Sequence, residues 1–201
     1  MHEFGARAID GADEARAVAI MNQMQRMRPT TLAHSERVAD LAVQVARTVH
    51  LPEAQVHAIY WGALMHDVGE LHVRRAVLEK PASLAPQEIS QIREHTLVGA
   101  RWLAAVEGLT VLVPFVRWHH ERFDGEGYPD ARSGQDVPLG VALVGVCDAW
   151  DSLTQSRPYR EPQPYDDAAS ELRRCAGRQW SRALVEWTLD CVERSEPVSL
   201  D

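Results

Sequence analysis

The sequence is short of cysteine, and this shortage disfavours the protein classes that depend on cysteine chemistry. Its 201 residues contain three cysteines, an odd number in which no two have C-x-x-C spacing. They are Cys147, Cys175 and Cys191. A disulfide framework and a zinc site built from cysteines are therefore disfavoured, and we expect a reducing, cytoplasmic location.

Basic residues and long apolar runs are also scarce. The net charge is −8, because 21 Lys and Arg stand against 29 Asp and Glu. A general nucleic-acid binder needs a basic face to displace counterions, so we expect no DNA partner, although a local basic pocket could bind a small anion. The longest apolar stretch, residues 139–147, is too short to cross a bilayer, and the N-terminus lacks the apolar region of a signal peptide. We therefore expect no membrane insertion.

The hydrophobic pattern predicts an all-α fold with about seven to eight helices. In the segment 31–49, apolar residues recur at the i, i+3, i+4 and i+7 spacing of one buried helix face. No two segments of alternating polarity are joined by an Asn-Gly type of turn, so all-α is favoured over α/β. At about 150 residues per domain, the length predicts one domain. The predicted helices cover residues 13–28, 31–49, 53–69, 86–103, 109–120, 139–153, 165–177 and 181–192.

Histidine, in contrast, is plentiful, with nine copies. Five of these histidines and two aspartates fall where the helical pattern expects core residues. They are His34, His66, Asp67, His95, His119, His120 and Asp148. A single His on an apolar face is more often a hydrogen-bonded core residue than a ligand, but burying even one carboxylate without a partner costs several kcal/mol. Metal ions surrounded by all seven side chains would satisfy them together.

The residue types indicate which metals would bind. Imidazole and carboxylate without thiolate suit Fe, Mn, Co or Zn, and disfavour Cu(I) and iron–sulfur clusters. Seven candidate ligands exceed the four of one tetrahedral site, and a carboxylate such as Asp67 can bridge two ions. Two ions about 3.5–4 Å apart suit in-line displacement at phosphorus, with a bridging hydroxide as the nucleophile.

Two motifs carry a family resemblance. His66 and Asp67, within LMHDVGE, resemble the HD dyad of the HD-superfamily metal-dependent phosphohydrolases. The run HHERFDGEGYPD, which extends from His119 to Asp130, resembles the signature of the HD-GYP branch. Its Gly127, Tyr128 and Pro129 match the GYP itself, and further matches cover roughly residues 30 to 190.

The resemblance implies a helical bundle of the HD-domain type with the GYP loop beside the metal site. We expect residues 1–29 to form an N-terminal helical extension, 30–195 the HD-GYP domain, and 196–201 a tail. The implied activity is hydrolysis of cyclic di-GMP to pGpG, GMP or both, with His66 and Asp67 as catalytic residues. The seven residues named above are the implied ligands of two divalent ions, which are Fe or Mn in preference to Zn, Co or Ni.

The resemblance also suggests substrate contacts and partners. The Tyr128 ring could stack on guanine, and Arg157 and Arg160 could contact phosphate, although a surface salt bridge is an equal alternative for both arginines. Arg122 and Glu70 complete the predicted substrate-binding set. The GYP loop is a candidate contact surface for cyclic-di-GMP synthases, but its turn residues alone would also account for a compact loop. A homodimer is a further expectation.

Three departures from the family pattern bear on activity. Glu70 stands where the family has a lysine, and its charge should repel a phosphodiester unless Arg74 or Arg75 compensates or Glu70 itself joins the metal site. Thr30 stands where members with three metals have a glutamate, so two metals are predicted. The segment LHVRRAVL after the dyad differs from the family pattern and changes one wall of the pocket.

These departures leave two alternatives to the phosphodiesterase open. One is an inactive or weakly active member that acts as a cyclic-di-GMP receptor or a protein-interaction module. The other is a phosphohydrolase of a different cyclic dinucleotide or nucleotide.

Overall fold

The computed structural model describes residues 9–156 and 161–195, and this part of the chain contains helices and no strand. The all-α prediction is therefore confirmed. In chain order, the α-helices are α1 (Gly11–Met27), α2 (Pro29–Thr48), α3 (Glu53–Met65), α4 (Arg75–Leu78), α5 (Pro86–Arg93), α6 (His95–Ala104), α7 (Val113–Trp118), α8 (Leu139–Thr154), α9 (Tyr165–Cys175) and α10 (Arg182–Ser195).

The core is built around α2, which contacts α1, α3, α8 and α10. Its apolar stripe, including Val38, Ala42 and Val45, is fully buried. Helix α1 adds Ala17 and Met24 to the same core, so residues 11–27 pack as part of the bundle. No helix in the described ranges has the length and apolar character needed to cross a membrane.

Several helices end earlier than the hydrophobic pattern predicts. The predicted helix 53–69 stops at Met65, and a 3₁₀ segment follows from Val68 to His72. The predicted helix 86–103 is divided at Glu94 into α5 and α6. The predicted helix 109–120 becomes a 3₁₀ turn, Thr110–Leu112, followed by α7.

Histidine side chains lie at these interruptions. The Nδ1 atoms of His66 and His95 lie 2.6 and 2.7 Å from the carbonyl oxygens of Ala63 and Ile92, each three residues earlier. His119 Nδ1 lies 2.9 Å from the carbonyl oxygen of Phe115. A ring N–H that donates to such a carbonyl competes with the backbone amide of the next helical turn. The imidazoles therefore help to end the helices, which a hydrophobic pattern does not reveal.

Two glycines let the segments that carry these histidines approach one another. A Cβ atom on Gly69 would lie 1.9 Å from the carbonyl oxygen of His95. A Cβ atom on Gly145, three residues before Asp148, would lie 2.6 Å from the carbonyl oxygen of His119. Both distances are too short for a side chain, so only glycine permits these backbone contacts.

Candidate metal centre

Asp67 lies at the centre of the predicted ligands. It is the second residue after the end of α3, and it is 9% exposed. Its Oδ1 atom lies 3.3 Å from Nε2 of His95 and 3.6 Å from Nε2 of His119. Its Oδ2 atom lies 3.2 Å from Nε2 of His66 and 3.8 Å from Nε2 of His34. Each carboxylate oxygen thus faces a different pair of imidazoles.

Three of the four imidazoles are oriented by backbone carbonyls. Because Nδ1 of His66, His95 and His119 faces a carbonyl oxygen, Nδ1 carries the proton and Nε2 keeps its lone pair in the neutral ring. This arrangement of an outer nitrogen held by a carbonyl is typical of metal-binding histidine.

The inward nitrogens need a cation. Nε2 of His95 and Nε2 of His119 are 3.3 Å apart, so two lone pairs face each other in a buried place. Nε2 of His66 is buried and has no hydrogen-bond partner among the described residues. Lone pairs that converge on a carboxylate in this way fit a divalent metal ion.

The fourth imidazole is oriented by a carboxylate. His34 Nδ1 lies 2.6 Å from Oδ2 of Asp151, while its Nε2 lies 3.1 Å from Oδ1 of Asp148. Arg37 holds Asp151 in place, since its Nε and Nη2 donate to the two carboxylate oxygens at 2.6 and 2.9 Å. Ser152 donates to Asp148 at 3.2 Å.

The ligands form two adjacent groups that share Asp67. In each group, one possible ligand atom per residue lies within 4.8 Å of all the others. The groups are Asp67, His95, His119 and His120, and His34, His66 and Asp67. Asp148 joins the second group through its contact with His34. The structure therefore brings all seven predicted residues together.

The charges of the centre favour anionic carboxylates. Burial by itself raises the pKa of Asp67 and Asp148, but the surrounding imidazoles outweigh it and lower both pKa values well below the usual range. Burial and neighbouring imidazoles lower the pKa of His119 and His120, which favours the neutral ring that metals bind. Burial also lowers the pKa of His34, but Asp148 and Asp151 outweigh it and raise that pKa to about 10.

A cavity of about 1030 Å³ opens beside His34 and Asp67. Segment 77–84 and residues Ile89 and Ile92 of α5 form one wall. Gln155 and Ser156 lie in the lining as well. Arg157 and Arg160, the predicted phosphate contacts, follow in sequence but lie outside the described residues, as does the predicted tail 196–201.

Glu70 lines this cavity, and no Lys or Arg in the part of the chain that the structure describes forms an ion pair with it. Its Oε2 accepts a hydrogen bond from the Thr31 hydroxyl at 2.7 Å, and burial together with the charge of Asp67 raises the pKa of Glu70 to about 6. The arginines expected to compensate have other partners. Arg75 donates to Glu79 at 2.7 Å, and Arg74 lies 3.4 Å from the amide oxygen of Gln91.

The GYP loop lies against the centre. The Tyr128 ring is 4.8 Å from the ring of His120 at an interplanar angle of 30°. A Cβ atom on Gly127 would lie 2.7 Å from the carbonyl oxygen of His120, and the bond from Tyr128 to Pro129 is cis. Arg122, predicted to contact substrate, donates instead to Asp124 of the same loop at 2.9 and 2.6 Å.

Sequence reasoning missed two carboxylates that shape the site. Asp151 was detectable, because it lies three residues after Asp148 and so faces the same side of α8. Glu121 is buried, and its two oxygens accept the backbone N–H groups of Asp130 and Arg132 at 2.6 and 3.0 Å. In the sequence, Glu121 directly follows His119 and His120, and this position could have marked it as a candidate site residue.

Known proteins resemble this chain over most of its length. It is 32% identical over 170 residues to a "Cyclic di-GMP phosphodiesterase" of Thermotoga maritima, which covers 83% of this chain and 46% of that protein. It is 31% identical over 165 residues to a "3'3'-cGAMP-specific phosphodiesterase 1" of Vibrio cholerae, covering 81% of this chain and 38% of that protein. The chain thus spans about half, or less, of these relatives.

A solved structure supports the fold. An HDG"Y"P protein from Bdellovibrio bacteriovorus superposes with a TM-score of 0.70 at 19% identity, covering 89% of this chain and 60% of that one. A family model described as the HD domain matches residues 16–184. These findings confirm the resemblance drawn from the HD dyad and the GYP signature: the chain belongs to the HD-domain family, in its HD-GYP branch.

Proposed function

We propose that the chain is a metal-dependent phosphodiesterase that hydrolyses cyclic di-GMP to pGpG, GMP or both. The observation that carries this proposal is the pair of His and Asp groups that share Asp67 and border a large cavity. The cyclic dinucleotide phosphodiesterases among its relatives support the substrate class.

Two divalent ions would bind on either side of Asp67. His95, His119 and His120 would hold one, while His34, His66 and Asp148 would hold the other. Imidazole and carboxylate ligands suit Fe or Mn, with Zn, Co and Ni as less favoured ions. When bound, the ions would supply Lewis-acid stabilisation of the phosphate oxygens and an activated water.

The chain's own groups would orient the ions and the substrate. Asp67 and Asp148 remain anionic, so they keep the centre attractive to cations, while Asp151 holds His34 in place. The cavity is large enough for a nucleotide, because small-molecule sites span about 300–1,000 Å³. The Tyr128 ring lies next to His120, a member of the other ligand group.

The decisive experiment combines metal content and turnover on one sample. The chain is purified anaerobically, its metal is quantified, and cyclic di-GMP hydrolysis is followed with Fe(II) or Mn(II). We expect about two ions per chain and production of pGpG or GMP, both lost in His66→Ala. Full metal content without any product would contradict the proposal.

A second candidate function is hydrolysis of 3'3'-cGAMP, which is favoured by the Vibrio cholerae relative. Parallel assays with cyclic di-GMP, 3'3'-cGAMP and cyclic di-AMP distinguish the two, since the true substrate gives the highest kcat/KM. A third candidate is a receptor that binds without turnover, which is motivated by the carboxylate of Glu70 in the cavity wall. Binding of cyclic di-GMP without product would favour the receptor, and activity gained in Glu70→Lys would identify the lost charge as the cause.

We further propose a cytoplasmic location, because the sequence has only three cysteines and no two of them have C-x-x-C spacing. Contacts of the GYP loop with cyclic-di-GMP synthases and formation of a homodimer remain predictions. Light scattering of the purified chain tests the dimer, and co-purification with a synthase tests the loop, with Phe123→Ala as the variant because this side chain is 43% exposed.

A further inference from the structure

Two of the three cations in the cavity wall are already paired with carboxylates. Three Lys or Arg side chains of the described residues line the cavity, and each has a protein acceptor within hydrogen-bond distance. The pairs are Arg37 with Asp151 at 2.6 Å, Lys80 with Glu88 at 2.6 Å, and Arg28 with the carbonyl oxygen of Val73 at 2.8 Å. Arg28 therefore keeps its charge, and its Nε atom has no hydrogen-bond partner among the described residues. Glu70 adds a negative charge to the same wall and opposes that one free cation, so a ligand with two phosphodiesters would gain from a further cation.

Arg93 is positioned to supply that charge. It is the last residue of α5, next to Ile92 in the cavity wall, and it is exposed. Its Cζ atom lies 4.9 Å from the centroid of the Tyr128 ring, which in turn lies beside His120. No carboxylate of residues 9–156 or 161–195 forms an ion pair with its guanidinium. Arg93 therefore connects the end of α5 to the GYP loop, and we call this junction, next to the lining residue Ile92, the rim.

We propose that Arg93 binds a phosphate of the cyclic dinucleotide at this rim, held in place by the Tyr128 ring. This inference rests on the proposed function. A cyclic dinucleotide carries two phosphodiesters, so the one that does not face Asp67 needs a separate counter-charge. A guanidinium pairs with two phosphate oxygens at once, and stacking on an aromatic face leaves its N–H donors available.

The test measures KM, kcat and metal content with cyclic di-GMP on the full metal-loaded chain. Arg93→Ala is expected to raise KM roughly tenfold while kcat and metal content stay near those of the parent chain. Arg93→Lys should raise KM less, because lysine keeps the positive charge but cannot pair with two phosphate oxygens at once as the planar guanidinium does. Arg101→Ala is the matched control, since Arg101 is also exposed, lies on the next helix and forms no ion pair with a described residue.

Calorimetric titration with cyclic di-GMP keeps this test independent of turnover. If the parent chain binds but does not hydrolyse, the phosphodiesterase proposal fails, and the ratio of the Kd values of Arg93→Ala and the parent chain still tests Arg93.

An unchanged KM and Kd in Arg93→Ala, or an equal rise in Arg101→Ala, overturns the inference. Loss of metal in Arg93→Ala also overturns it, because Arg93 would then be positioning His95. Absence of binding to the parent chain overturns both proposals.

Discussion

The two ligand groups around Asp67 are held in different ways. His95 and His119 are oriented by backbone carbonyls at the ends of helices. His34 lies within α2 and is oriented by the side chain of Asp151, which depends in turn on Arg37. His95 and His119 are thus fixed by the path of the chain, as is His66 of the second group, whereas His34 depends on two side chains that a point mutation can remove.

This difference indicates which substitutions should disturb each part of the metal centre. Backbone carbonyls cannot be deleted by substitution, so the first group fails only when the chain path changes, as at Gly69. The second group is weakened when the carboxylate of Asp151 is lost, because that carboxylate sets the orientation of His34. Asp67 belongs to both groups, so its loss should weaken metal binding by both groups.

The largest effect is expected for Asp67→Asn. The substitution keeps the shape but removes the charge that both groups share, so metal content and turnover should both collapse. Since even outer partners cost about 10–100-fold in metal affinity or activity, a loss of roughly 10²-fold or more is expected. Metal analysis and product assays measure it, with the exposed Asp40→Asn as control. Retention of both ions would contradict the shared role of Asp67.

The next effect is expected for Asp151→Asn. His34 loses its anionic partner while the carbonyl-held histidines are unaffected, so one ion should bind about 10–100-fold more weakly than the other. Titration with Mn(II) would then give two separated binding steps. Asp190→Asn, on an exposed position of α10, serves as the control. Equal weakening of both ions would show that the two groups do not respond separately.

A third prediction concerns the path of the chain at Gly69. Gly69→Ala places a methyl group against the His95 carbonyl, so we expect a stability loss of about 1–3 kcal/mol or more. For a chain of this size, each kcal/mol lowers Tm by about 2–4 °C. Thermal unfolding measures the loss. Gly11→Ala is the matched control, because nothing lies within 4 Å of the added atom. Similar Tm values for both variants would contradict the close approach.

The smallest effect is expected from pH at the GYP loop. Hydrogen bonds from Arg117 and Trp118 lower the pKa of Asp130 from 3.8 to about 2. A lowered pKa stabilises the fold above the unfolded value, so this contribution should be lost as the pH falls from about 4 to 2. Hydrogen exchange of the loop should increase over that range, and less so in Asp130→Asn. High salt should reduce the effect, because the pair is partly exposed.

Much of the centre could be predicted from the sequence, because a charged residue on an apolar helical stripe is rare and informative. His34, His95 and Asp148 were found on that basis alone, and the motif resemblance then selected the same residues. The prediction of an all-α fold rested on the same periodicity. Its success follows from the long apolar stripes of helices such as α2 and α8.

The helix ends and the cavity wall could not be predicted in this way. The break at Glu94 coincides with a contact between the His95 ring and the carbonyl oxygen of Ile92, which leaves no hydrophobic signature. The partners of Arg37 and Lys80 depend on tertiary contacts between α2 and α8 and between segment 77–84 and α5. The spacing of residues along the sequence does not reveal such contacts. The ion pairs of Arg37 and Lys80 in the cavity wall are therefore seen only in the three-dimensional structure.

The most direct test of the account is anomalous diffraction from crystals of the chain grown with Mn(II). We predict two peaks, one on each side of Asp67, about 3.5–4 Å apart. The first should lie among His95, His119 and His120, and the second beside His34 and His66. A single peak, or two peaks that do not share Asp67, would contradict the account.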